Sequence, residues 1–214
     1  MVPSGSGNPP RVVPHWDPAL SSQVAALATA ELAVDAMLIG RLAVYAWIGA
    51  RGEPRYTKDL DLAVRQRDVV ALRAWAVRAN YTVRSLPIGG VQVTDTSGDV
   101  HIDFIDRTSI EYGNLGPLIE SALDTAQQID LKADVRGQHH WLCPLAALCA
   151  LKFAAGRPKD EDDLRALVAL PECDVPAVRR LIGQHMGPFS LAGFDRFLER
   201  SGLSVAAHYA DGDS

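Results

Sequence analysis

Residues 54–64 read PRYTKDLDLAV, and the alternation that begins at Asp59 decides the fold class. Aspartate and leucine alternate with the period of a strand. Asp59 and Asp61 therefore leave one face, about 6–7 Å apart along the backbone, while Leu60 and Leu62 enter the core. Two neighbouring carboxylates on one face repel each other unless a cation lies between them. Their oxygen donors suit Mg2+ or Mn2+. A lone D-x-D strand is more readily read as an acidic solvent face. A second acidic strand, VHIDFID over residues 100–106, changes that balance. Ile102 and Phe104 turn inward, and Asp103 shares the other face with His101 and Ile105, whereas Asp106 falls opposite Asp103 and is left out. Carboxylates on neighbouring strands hold two divalent ions about 3.5–4 Å apart in sites built for in-line phosphoryl or nucleotidyl transfer.

Upstream, Ala36–Ile39 reads as a short buried strand that stops at Gly40 before a buried helix over 42–48. A helix N-terminus offers free N–H groups and a positive dipole end to a phosphate. Asp17-Pro18 marks the start of a helix running to about Val34. Downstream, 68–79 has helical periodicity, and 81–86, 91–94 and 100–105 read as strands parted by turns. A short helix is expected over 114–123, and one or two strands over 127–142. From Pro144 the chain reads as helices at 144–155, 159–170, 175–183 and 188–200. The expected fold class is α+β (α/β), a mixed sheet flanked by helices with a C-terminal helical bundle. The expected divisions are a disordered lead-in at 1–16, a core domain at 17–142 and a helical region at 143–205.

Composition narrows the function classes. The 214 residues are 48% apolar, enough for a proper core, and the net charge of −5 argues against a generally basic nucleic-acid coat. Charge is uneven, however: residues 51–84 carry eight Arg or Lys against four acids, around the D-x-D strand. The apolar stretch 37–50 is broken by Arg41, so no membrane span is expected. Three cysteines without a C-x-x-C pair, and no signal-peptide layout, predict a cytoplasmic protein without a disulfide framework. The adjacent His139 and His140 would point to opposite faces of a strand and are assigned to structure. Trp47, Trp75 and Trp141 are assigned to the core.

Taken in order, IGRLAVYA (39–46), EPRYTKDLDLAV (53–64), HIDF (101–104) and ALKFAAGRPKDEDDLRAL (150–167) resemble the nucleotidyltransferase superfamily with the DNA polymerase β-like fold. The branch they resemble most is the AbiEii/AbiGii toxin family, which includes the MenT-like toxins. The resemblance covers about residues 36–170. It implies transfer of an NMP from an NTP such as ATP to an acceptor hydroxyl, with Mg2+ or Mn2+ as cofactor. It further implies a tRNA 3′ end or a protein as acceptor, and a cognate antitoxin as partner. Carried over by position, Asp59, Asp61 and Asp103 would be the metal ligands, with Asp103 activating the acceptor. Gly40 would approach the phosphates, and Lys152, Arg157 and Asp160 would line the nucleotide pocket. Thr57 and Lys58 are expected on the nucleotide side of the loop before Asp59, and Asp163 is assigned to structure. One departure stands out. The second small residue of the family's strand–Gly turn is Arg41 here. It would contact the triphosphate as a bidentate donor, or fill the pocket and mark an inactive copy. A small-molecule, antibiotic-type nucleotidyltransferase and a non-catalytic nucleotide- or partner-binding relative are the competing readings.

Overall fold

A computed structural model describes residues 19–49, 59–130 and 139–203. In chain order the elements are α1 (Ala19–Leu32), β1 (Ala36–Leu38), α2 (Gly40–Ile48), β2 (Leu60–Val64), α3 (Val69–Arg78), β3 (Thr82–Ser85), β4 (Gly90–Thr94) and β5 (His101–Ile105). They continue with α4 (Gly116–Asp124), β6 (Gln127–Asp130), β7 (His139–Leu142), α5 (Leu145–Ala155), α6 (Pro158–Val168) and α7 (Val175–Arg200). The described strands form one mixed sheet in the order β3-β4-β5-β2-β1-β7-β6. The fold is thus mixed α/β, as the strand and helix periodicities predict.

Two parallel seams, β2 with β5 and β1 with β7, join strands that are otherwise antiparallel neighbours. The β2–β5 seam positions the site. Its register sets Leu60 against Ile102, Asp61 against Asp103 and Leu62 against Phe104. All four of those apolar side chains are buried to 1% exposure or less. Leucine and phenylalanine thereby anchor the strands from beneath and oblige both aspartates to project from the other face. The alternation ends at Ala63 and Val64, both fully buried, as suits a central strand with helices on both faces of the sheet.

Helices α1 and α3 pack together on the Leu62 face of the sheet, while α2, α5 and α6 pack on one another on the aspartate face. α5 ends on Gly156 in the left-handed conformation, and α6 starts at once with Pro158 in its first turn and Asp160 and Glu161 beside its positive end. The C-terminal segment is two helices that meet at a kink, in line with the pair expected over 175–183 and 188–200. α7 runs from Val175 to Arg200 with a single break at Gly187 (φ 83°, ψ 174°), where Pro188 removes a backbone donor. Trp75 is buried and Trp47 half-buried, but Trp141 is 45% exposed, contrary to the core assignment, because its strand position turns it out of the core beside α1. Cys143, Cys149 and Cys173 are buried free thiols. Among the described residues no helix is long and apolar enough to cross a membrane. The 1–16 lead-in, Arg55, Thr57 and Lys58 lie outside the described residues, as do the side chains of His139 and His140.

Candidate active site

Parallel pairing at the β2–β5 seam brings Asp61 and Asp103 side by side on one face. Asp59 lies immediately before β2 rather than on it and is 48% exposed. His101, at the start of β5, stands between the other two carboxylates. Its Nδ1 is 3.4 Å from Asp59 Oδ1 and its Nε2 is 3.6 Å from Asp103 Oδ1. From β4, Gln92 is in register with Asp103 and donates its amide to Asp103 Oδ1 at 3.0 Å, with His101 Nε2 at 2.9 Å from the same nitrogen.

Asp61 is half-buried. Gly40 makes room for it: its φ of +67° opens α2, and a Cβ there would overlap the Asp61 carboxylate, 2.7 Å from Cγ. The missing side chain therefore admits a carboxylate as well as opening the cavity. No described group donates a hydrogen bond to the Asp61 side chain. Burial, then the charges of Asp103 and Asp59, push its pKa up to about 7, against the opposing pull of Lys152 and Arg157. Burial also raises Asp103, partly countered by the Gln92 hydrogen bond and by His101.

A cationic wall faces these acids. Lys152, 8% exposed on α5, places Nζ 3.0 Å from Asp160 Oδ1 and 2.9 Å from Asp163 Oδ2. Arg157 holds both oxygens of the fully buried Asp160, and Arg41 pairs with Asp163. The result is an alternating chain, Arg41–Asp163–Lys152–Asp160–Arg157, that ties α2 to α5 and α6. Burial alone would raise Asp160, but the hydrogen bond from Arg157 and the ammonium of Lys152 outweigh it and hold its pKa below the ordinary value. Asp163 is thus as deeply built into the wall as Asp160. Arg41 directs its guanidinium to α6 rather than standing free in the opening.

Both walls line one cavity of ≈ 270 Å³. Gly40, Asp59, Asp61 and Asp103 contribute on the acidic side, and Arg41, Lys152, Arg157 and Asp160 on the basic side. Arg107 and Lys159 also reach it. Sequence reasoning did not single out Arg107 or Gln92. Gln92 carries the period-2 signal of β4, visible only once β4 is known to pair with β5. Arg107 lies two residues past the end of β5 and belongs to no motif. The described part of the basic stretch 51–84 is spread over the fold. Arg65 is tied to Glu120 and Asp124, and Arg73 and Arg78 ride on α3, across the sheet from the carboxylates.

Among the described residues no three His, Cys, Asp or Glu side chains already close on one point as a metal-ligand set. The chemistry of the donors nevertheless fits a divalent cation. A half-buried carboxylate with no donor among the described residues, flanked by two more acids, is the environment a hard cation neutralises.

No family model matches the chain and no curated protein does, so the resemblance to the AbiEii/AbiGii toxins is not confirmed. Similar solved structures are of nucleotidyltransferase fold. An antigenic nucleotidyltransferase-like protein from Paracoccidioides brasiliensis is 17% identical over 91% of this chain and 96% of its own, with a TM-score of 0.47. The antibiotic-resistance factor ANT(2'')-Ia is 18% identical over 91% and 98%, with a TM-score of 0.44. The lincosamide antibiotic adenylyltransferase LnuA is 13% identical over 72% and 97%, with a TM-score of 0.46. At these values the likeness says nothing of what this chain acts on.

Proposed function

We propose that the chain is a metal-dependent nucleotidyltransferase, moving an NMP from an NTP to an acceptor hydroxyl with release of pyrophosphate. The observation that carries this reading is Asp61, set in register with Asp103 on a parallel seam, with no hydrogen-bond donor among the described residues and opposite a wall of cations. Asp59, Asp61 and Asp103 would hold Mg2+ or Mn2+, which when bound supplies positive charge to the triphosphate and makes an acceptor hydroxyl more acidic. Gln92 fixes one oxygen of Asp103 and leaves Oδ2 to take the hydroxyl proton, a task helped by the raised pKa of this carboxyl. Gly40 keeps Asp61 close against the start of α2. Lys152 and Arg157, steadied by Asp160 and Asp163, set the positive potential of the far wall, where phosphate charge is accommodated without further rearrangement.

The sequence resemblance supports a tRNA 3′ end or a protein hydroxyl as acceptor, and a toxin with a cognate antitoxin as the biological setting. The experiment is transfer of label from each of four α-32P NTPs, with Mg2+ or Mn2+, to a panel of total tRNA, purified protein, an aminoglycoside and a lincosamide. Transfer to one class, lost in Asp61→Asn and Asp103→Asn chains that still fold, is the expected result. Absence of transfer to every acceptor, or transfer indifferent to both substitutions, would overturn the assignment.

A further inference from the structure

Arg107 is the one guanidinium lining the cavity that, among the described residues, has no carboxylate partner. Arg41 has Asp163 and Arg157 has Asp160. The Nε of Arg107 is buried with no hydrogen-bond partner. A buried Nε is also unpartnered in Arg65, but the rest of that guanidinium is held by Glu120 and Asp124. Burial, followed by the nearby charge of Arg157, depresses the Arg107 pKa, and both guanidinium groups line the same cavity.

The backbone around Arg107 is built to keep it there. Its φ is +55°, a left-handed conformation unfavourable for a residue with a Cβ. Its carbonyl accepts from Leu115 N at 2.8 Å. On one side Asp106, buried, accepts from Thr108 N at 3.1 Å and Thr108 Oγ1 at 2.9 Å. Gly89, at φ +100°, lets the β3–β4 turn close over this bend, since a Cβ there would sit 2.7 Å from Thr108 N. A cation held in this way calls for a partner of opposite charge, and among the described residues no carboxylate lies within ion-pair distance of it.

We infer that Arg107 binds the polyphosphate arm of the nucleotide, donating to a non-bridging oxygen of the phosphates that leave as pyrophosphate. The inference deepens, and rests on, the nucleotidyl-transfer reading of this cavity. Three positions favour a multiply charged anion over a single phosphodiester. Arg107 and Arg157 repel in the absence of an intervening anion, and exposed Lys159 adds a further cation to the same lining. A triphosphate carries charge on several adjacent groups and meets such a cluster at more than one point.

The test compares the full chain with Arg107→Met and Arg107→Lys. The readouts are calorimetric binding of inorganic tripolyphosphate with Mg2+, the NTP KM and kcat, and Tm. Arg107→Met is expected to weaken tripolyphosphate binding and raise the NTP KM by about tenfold to a hundredfold. Arg107→Lys is expected to recover part of that loss, since it restores charge without the fork. Tm is expected to hold or rise in Arg107→Met, because an unpaired buried cation has been removed. Unchanged tripolyphosphate affinity in Arg107→Met would overturn the inference. So would a loss confined to the acceptor, or a fall in Tm that accounts for the lost binding. If the wild-type chain transfers no nucleotide yet binds tripolyphosphate through Arg107, the transfer reading fails while the anion site stands. If it transfers and Arg107→Met binds normally, only the present inference fails.

Discussion

Replacing Asp61 with Asn tests whether the site is electrostatically unsatisfied without a cation. Burial and the adjacent Asp103 and Asp59 move the Asp61 pKa from 3.8 to about 7. That is about three powers of ten in proton affinity, or on the order of 4 kcal/mol at about 1.36 kcal/mol for each. The sign follows from the direction. A folded-state pKa above the unfolded value gives stability that is complete below about pH 4 and is lost as pH rises towards about 7. Asn has the same shape and never ionises, so Asp61→Asn escapes the loss. Urea unfolding of both proteins in EDTA, from pH 5 to pH 8, isolates the effect as a difference. Asp61→Asn is expected to gain roughly 2–3 kcal/mol on the wild type across that range, the remainder of the effect lying below pH 5. Added Mg2+ at pH 8 is expected to stabilise the wild type and to leave the variant unmoved. A gap that stays flat with pH, or a variant less stable at pH 8, would refute the electrostatic account.

Two further substitutions probe how the acids are held. Gly40→Ala places a methyl in the space of the Asp61 carboxylate at a φ of +67°, so thermal melts are expected to show a loss of about 1–3 kcal/mol. Transfer activity is expected to fall with it, by roughly a hundredfold, since misplacing a reacting group by about an ångström has that effect; full activity would separate Gly40 from the site. Arg41→Gly leaves Asp163 to Lys152 alone, and denaturant unfolding is expected to show about 1–3 kcal/mol of destabilisation with no gain in NTP affinity. Tighter NTP binding on this substitution would mean that Arg41 fills the pocket instead.

Period-2 alternation made β2 and β5 legible, because Leu60, Leu62, Ile102 and Phe104 are buried on a single face. The shared face of Asp61 and Asp103 followed from that alone. Register did not: sequence spacing says nothing about which residue of β5 stands beside Asp61. The helices expected over 144–155 and 159–170 were equally plain, but the fate of Lys152 was not. The resemblance put Lys152 in the pocket, and only the return of α6 shows two aspartates meeting it. Trp141 failed because its half-covered position depends on how α1 crosses the sheet. Arg107 had no local signature, since an unpaired cation is defined by what its neighbours lack.

The β2–β5 seam also has a kinetic side. Antiparallel neighbours such as β3, β4 and β5 join through short turns, whereas β2 and β5 are parallel and separated by α3 and the β3–β4 hairpin. Closing the seam is a long-range event that follows local pairing. Asp61 and Asp103 therefore meet late on the folding path, when the sheet joins across its middle. Their repulsion falls on that joining step and not on the β3–β4 hairpin that precedes it.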